Sequence, residues 1–450
     1  MPSPSIVWFR DDLRLADHPA LNAAVERGEP LVLLYLLDEI SPGIRPLGGA
    51  ARWWLHHSLT ALAADIERRG GRLVLRRGAA EDELPKLVAE TGAGAVFWNR
   101  RYGASREIDV RLTSRLRDDG LEVASFPAHL LVEPGTVLTD TGTPYQVFSP
   151  FWRAARELPM RQPLAAPQHL DAARSVSGED VDGANLDDWQ LLPTRPDWAA
   201  GLQETWQPGE AAALRRLEAF ATDGLADYHR RDEPSIGTSG LSPHLRFGEI
   251  SPAQIWHRIH GDLSAAARKN APKFLSELGW RDFNWSILYA HTDLATANYR
   301  RAYDEFPWSW DHGPEVEAWQ QGRTGIPLVD AGMRELWHTG TMHNRVRMVV
   351  ASFLVKNLLR HWRIGEEWFW DTLVDADEAS NPGNWQWVAG SGADAAPYFR
   401  VFNPVLQAAK FDPTGEYIRR WVPDDELLAP IVDLAESRRH ALEALATIRR

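Results

Sequence analysis

Short, almost wholly apolar runs alternate with longer amphipathic stretches through the first third of the chain. The runs cover residues 6–9, 31–37, 73–75, 95–98 and 121–123. Helical periodicity separates them, over residues 51–69, 83–91 and 105–118. The second run is unbroken in its apolarity, which suits a strand covered on both faces. Such alternation predicts an α/β fold, a doubly wound parallel sheet. Residues 1–128 are assigned to this domain. No G-x-G-x-x-G follows the first run; the chain continues Arg10-Asp11-Asp12-Leu13-Arg14. The dinucleotide fingerprint of a dehydrogenase is therefore missing.

The pattern then changes twice. Prolines at 134, 144, 150, 159, 163, 167, 193 and 196 leave little room for long helices, so residues 129–208 read as an extended connector. Beyond it the helical period dominates, over 210–222, 252–261, 273–291, 329–339, 341–362 and 430–449. Residues 209–450 are thus expected to form a mostly α-helical domain.

Composition narrows the class. The 450 residues are 44% hydrophobic and 25% charged, ordinary for a soluble globular protein, and nothing approaches a membrane span. Without cysteine there is no disulfide, thiolate metal site or Cys nucleophile. A cytoplasmic protein with no membrane association is the expectation. The net charge of −13 argues against blanket affinity for nucleic acid, though a local basic patch survives because fields are screened within about 8 Å. Nearly all positive charge is Arg, which forks onto phosphates; high genomic GC content gives the same skew. The 21 tryptophans are the stronger anomaly.

Candidate chemistry sits in the helical half. Ser242-Pro243 reads as an N-cap with Pro at the first helical position, and Ser251-Pro252-Ala253-Gln254 adds a capping box. Capping alone explains such segments, although hydroxyls and free N–H groups at a helix start also suit an anion. Glu277, Trp280 and Arg281 share a helix face, as a solvated ion pair or as the wall of a pocket for a base. Asn344, Arg347, Met348 and Ala351 share another, with Arg345 at its edge. The helix they begin is apolar enough to be buried, so Arg347 needs an acid, and Asp375 or Asp377 can supply it. These aspartates do not read as an EF-hand, because Ser380 and Gln386 replace its Gly and Glu. The run DADEASNPGNWQWVAGSGADAAPYFRVFNPVL over residues 375–406 combines acids, amides and indoles. Few cores need that mixture.

Taken together, VWFRDDLRL, GTSGLSPHLRFGEIS, ELGWRDF, MHNRVRM, the 375–406 run and FDPTGEYIRRW resemble the photolyase/cryptochrome family across nearly the whole chain. The details are most similar to bacterial cyclobutane pyrimidine dimer photolyases. The resemblance implies a U-shaped FAD in the helical domain and an antenna chromophore in the α/β domain. It implies UV-damaged DNA as partner, and a monomer without an obligate protein partner.

It also implies roles. Tyr228, Thr238, Ser239, Gly240, Leu241 and Ser242 are similar to FAD phosphate and ribityl contacts, with Arg281 a further contact. Asp375, Asp377 and Asn381 resemble residues at the isoalloxazine edge, with Arg347 paired to Asp375. Asn344 matches the residue facing the reactive ring nitrogen, where a neutral amide adds no negative charge. Glu277, Trp280, Arg345, Met348 and Trp387 resemble the lesion pocket, with Arg231 and Arg400 on DNA phosphates. Trp385, Trp362 and Trp308 resemble a tryptophan chain that reduces the flavin, with Trp310 an alternative outer end. After Tyr102 the chain reads GASREIDV, with Arg106 where some folate-binding members place an acid. The antenna is thus methenyltetrahydrofolate or deazaflavin. The expected activity is light-driven dimer repair by electron transfer from excited reduced FAD. The alternative is a cryptochrome-type photoreceptor without repair; Asn344 and a chain ending soon after Trp421, without a long signalling tail, count against it. A pyrimidine–pyrimidone repair enzyme is disfavoured, because His343 is the only histidine candidate near its pocket positions.

Overall fold

In the computed structural model, which describes residues 3–395 and 399–448, the five apolar runs become five parallel strands. They are β1 (Ser5–Phe9), β2 (Leu31–Leu37), β3 (Leu73–Arg77), β4 (Ala95–Asn99) and β5 (Glu122–Phe126), ordered β3-β2-β1-β4-β5. Alternation explains why β2 is apolar throughout. Leu31, Leu33, Tyr35 and Leu37 enter the core on one face, and Val32, Leu34 and Leu36 enter the core on the other. The order reverses between β1 and β4, so a crevice opens at their C-terminal ends, as in other doubly wound sheets.

The proline-rich stretch is not wholly extended. It holds the short helices Phe148–Ala155 and Ala200–Thr205, and Leu31 forms a bridge with Ala172 beyond the strand's start. It is pinned to the long helix Ala265–Ala290 by Asp282, whose Oδ2 accepts the backbone N–H groups of Leu131 and Val132, each at 2.9 Å. That helix begins eight residues before its expected start at 273. Ser264 caps it by accepting the Ala267 N–H, and Pro272 lies within it.

The two halves are joined by buried polar contacts. Glu249 accepts from the Trp54 indole at 3.1 Å and the Gly209 N–H at 2.7 Å. Glu210 takes the N–H groups of Leu15 and Ala16 at 2.7 and 2.9 Å. Gly248, at φ +63°, lies so close to Asp11 that a Cβ would sit 2.0 Å from its carbonyl oxygen. Only glycine permits that approach.

Two further expectations need correction. The stretch 341–362 is not one helix. Asn344–Ser352 is α-helical, then a π-helical turn spans Phe353–Asn357, and Leu359 adopts a left-handed φ of 49°. The chain there pairs with residue 309, through Ser309 N–H to Leu359 O at 2.8 Å and His361 N–H to Ser309 O at 2.9 Å. A new helix, Trp362–Thr372, follows. The apolar periodicity runs on through the break because its residues stay buried. Second, Ser242 is not an N-cap; it opens the helix Ser242–Arg246, and its hydroxyl goes elsewhere. The capping box at Ser251 and Gln254 forms as expected. The last helix covers Leu434–Thr447; the predicted end at Arg449, and Tyr398, lie outside the described residues.

Burial pushes the Asp282 carboxyl up to about 7, although Arg281 and the two N–H donors oppose this. A carboxyl raised in the folded state favours folding while protonated, so its contribution is full below about pH 4 and lost as pH rises to about 7. Asp282→Asn keeps one acceptor oxygen for the connector and removes the titration. Chemical denaturation from pH 4 to 8 is expected to show a shallower loss of stability in the variant.

Candidate flavin and lesion site

Asp375 gathers three chain segments. Its Oδ2 accepts the Ser242 hydroxyl at 2.6 Å, and Arg347 donates to both its oxygens at 3.1 and 2.9 Å. Arg347 is itself held by donating to the Met342 carbonyl at 2.7 Å and to Thr341 Oγ1 at 3.3 Å. The carboxylate is buried, so the bidentate guanidinium offsets the cost of its charge. The pairing expected for Arg347 is thus made with Asp375 and not with Asp377. Asp377 instead turns the chain into the helix Ser380–Ala389, accepting from the Ala379 and Ser380 N–H groups at 2.8 and 2.5 Å. One turn on, Asn381 donates to Glu366 Oε1 at 2.8 Å, and Glu366 is paired with Arg45 of the α/β domain.

Asn344 opens its helix at an exposed position, three residues from Arg347. Ser239 and Gly240 are half-buried, and Thr238 is exposed. Gly240 needs its φ of +61°, and a Cβ there would reach within 2.3 Å of the Arg216 guanidinium. Leu241 is buried beneath this loop. Hydroxyls at 238, 239 and 242 and an exposed amide at 344 supply donors, and the compensated carboxylate at 375 supplies an acceptor, the groups that a ribityl-phosphate and a polar ring edge require. These residues fit FAD. Tyr228 is packed edge-on to Phe220 and Phe274, and burial pushes its phenol up. Arg281 donates to the His129 carbonyl at 2.6 Å, contacts the His129 ring, and reaches the Leu245 carbonyl of the Ser242 helix at 3.5 Å.

Of the residues likened to a lesion pocket, two line one small pocket, whose lining does not include Glu277, Arg345 or Met348. Trp280 and Trp387 both line it, with Asn284, Gly383 and Asn384. Trp280 rests flat on Phe148, with centroids 3.9 Å apart, and the Trp387 indole donates to the Asp394 carbonyl at 3.0 Å. Glu277 is half-exposed and paired with Lys273 at 2.6 Å. Arg345 bonds Asp232 at 2.8 Å, and its guanidinium lies over Phe411. Met348 is half-buried against the main helical core. The backbone carbonyl of Arg231 meets the His343 ring at 2.7 Å, and burial pushes that imidazole down to about 4. Arg400 is exposed, and its carbonyl accepts from the buried Lys356 ammonium at 2.5 Å.

Tryptophans run inward from here. Trp385 is buried on Gly365, where a Cβ would come within 2.0 Å of its ring, and lies edge-on to Phe369 and Trp319. Trp362 is fully buried and donates to Asn298 Oδ1 at 2.9 Å; Trp308 is buried and donates to the Val355 carbonyl at 2.9 Å. Trp310 is 54% exposed. Glu366, Asn298, Trp319 and His361 carry no motif that marks them in the sequence.

A cavity of about 110 Å³ lies at the crevice of the sheet, lined by Trp8, Tyr35, Arg45, Arg101 and Trp285 among others. It lies beyond the C-terminal ends of β1 and β4, where doubly wound sheets bind their ligands. Among the described residues no cluster of acids and histidines could hold a metal ion, and no helix is long and apolar enough to cross a membrane.

Comparison with known proteins follows the same lines. Residues 5–168 match the family described as DNA photolyase, and residues 274–429 match the FAD binding domain of DNA photolyase. A deoxyribodipyrimidine photo-lyase of Agrobacterium fabrum is 47% identical, covering 100% of this chain and 98% of its own. The crystal structure of a bacterial class III photolyase from Agrobacterium tumefaciens superposes with a TM-score of 0.94 at 46% identity, covering 100% and 98%. Cryptochrome-1 of Arabidopsis thaliana is 37% identical over 93% of this chain and 63% of its own. The chain belongs to the DNA photolyase family, which includes the cryptochromes, and it carries that family's FAD-binding domain.

Gly365 is expected to be the seat of Trp385. Gly365→Val has no room for its side chain and should cost about 1–3 kcal/mol through overpacking. Thermal denaturation would measure the loss, and the near-UV tryptophan signal should change with it.

Proposed function

We propose that this protein is a deoxyribodipyrimidine photolyase that repairs cyclobutane pyrimidine dimers in DNA under light. The observation that carries this reading is the pocket shared by Trp280 and Trp387. A dimer stacks poorly in the duplex, so turning it outward costs less than turning out an intact base. The two indoles offer it apolar ring surface, and Glu277, close by on the Trp280 helix, can accept a hydrogen bond from the ring N–H that lies between the lesion's carbonyls. When bound, reduced FAD would supply the light-driven one-electron chemistry that cyclobutane opening needs. The chain's part is placement. Ser242, Arg347 and Asp375 hold one side of the flavin site, and Asn344 presents a neutral amide to the ring. Arg231, Arg345 and Arg400 grip phosphates, so affinity falls with added salt. Trp385, Trp362 and an outer tryptophan return the flavin to its reduced state.

A photoreceptor without repair activity is the rival reading, supported by the likeness to cryptochrome-1. Illumination of the reduced holoprotein with thymine-dimer DNA separates the two. Dimer content should fall with light dose; unchanged dimers with FAD bound would leave the photoreceptor reading. Trp280→Ala and Trp387→Ala should each weaken dimer binding by about 1–3 kcal/mol, as expected for one lost aromatic stack. Undamaged DNA should bind both variants as it binds the parent.

A further inference from the structure

The tryptophan chain has a buried end and an exposed neighbour. Trp308 is only 7% exposed, while Trp310 is 54% exposed. Among the described residues, the ring that Trp310 contacts is the imidazole of His361, stacked nearly parallel with centroids 3.7 Å apart. The same imidazole lies 5.4 Å from Trp308 and 5.6 Å from Trp362. One side chain therefore touches three indoles.

This arrangement is fixed by the local fold. The backbone clasp between Ser309 and residues 359–361 sets the two segments side by side, and Arg360 Nη1 adds a hydrogen bond to Ser309 Oγ at 3.0 Å. His361 also caps the helix Trp362–Thr372, its Nδ1 accepting the Arg363 N–H at 3.2 Å. That cap is a sufficient structural reason for a polar residue at 361, but not for a flat ring against an exposed indole. Burial and Arg363 push the imidazole down to about 4, so it is uncharged near neutral pH.

We propose that Trp310 is the solvent-facing end of the electron chain and that the His361 ring is its bridge to the inner tryptophans. The proposal rests on the photolyase reading above. With FAD bound, the light-excited flavin would take one electron from Trp385, and the hole left there moves outward through Trp362. Trp310 then gives up one electron to that hole and its indole N–H proton to water. The Arg363 guanidinium lies 5.5 Å from the Trp310 ring centre and opposes a lingering positive charge there. An external thiol supplies one electron, water returns the proton, and the indole is restored.

The cap and the ring can be tested apart. His361→Asn keeps a capping group and loses the ring; His361→Phe keeps a ring and loses the cap. Flavin photoreduction would be followed in the holoprotein with an external thiol. A nitroso spin trap, with peptide mass spectrometry, would locate the tryptophan radical. The Phe variant should retain most of the rate and the Trp310 adduct, despite a lower melting temperature. The Asn variant and Trp310→Leu should lose most of the rate. Loss in the Phe variant, full retention in the Asn variant, or a parent adduct on Trp308 would overturn the proposal. Trp385→Phe serves as control: normal photoreduction there would instead refute the tryptophan-chain reading itself.

Discussion

A single carboxylate carries much of the site. Asp375 lies where the loop ending at Ser242, the helix of Arg347 and the turn before the Trp385 helix meet, and it bonds the first two directly. A buried acid without a partner costs several kcal/mol, so these contacts are mutually dependent. The hydroxyl side of the flavin site and its ring-edge side are therefore held in one frame. Glu366 extends that frame to the α/β domain by accepting from Asn381 and pairing with Arg45.

The helix Ser380–Ala389 shows how little sequence separates two duties. Trp385 and Trp387 are two residues apart, about 200° around a helix, and so emerge on nearly opposite sides. Trp385 is buried on Gly365 and Phe369; Trp387 lines the pocket with Trp280. On the proposed reading, one rigid element thereby keeps the lesion side and the electron-supply side in register.

Much of this was legible in the residues. The five strands follow from apolar runs whose alternate side chains feed two cores, a pattern that leaves a clear signature. The need of Arg347 for an acid follows from its place on a buried helix, and Asp375 answers it. The break after residue 352 was not legible, because burial keeps the stretch apolar while the backbone passes through a π-turn and a left-handed Leu359. Ser242 reads as a cap by local rule, but a partner 133 positions away takes its hydroxyl. His361 and Glu366 are equally silent in sequence, since their roles come from what lies across from them. The shared motifs point to the flavin residues by likeness; the composition alone does not.

The account stands on Asp375 acting as the common anchor of the flavin site. A double-mutant cycle of Arg347→Met and Asp375→Asn, read out as FAD affinity by fluorescence titration, tests this most directly. The account predicts strong coupling: the double variant should bind FAD no more weakly than the worse single variant, as residues in one network do. Additive losses of affinity would show that the two side chains act separately, and would contradict it.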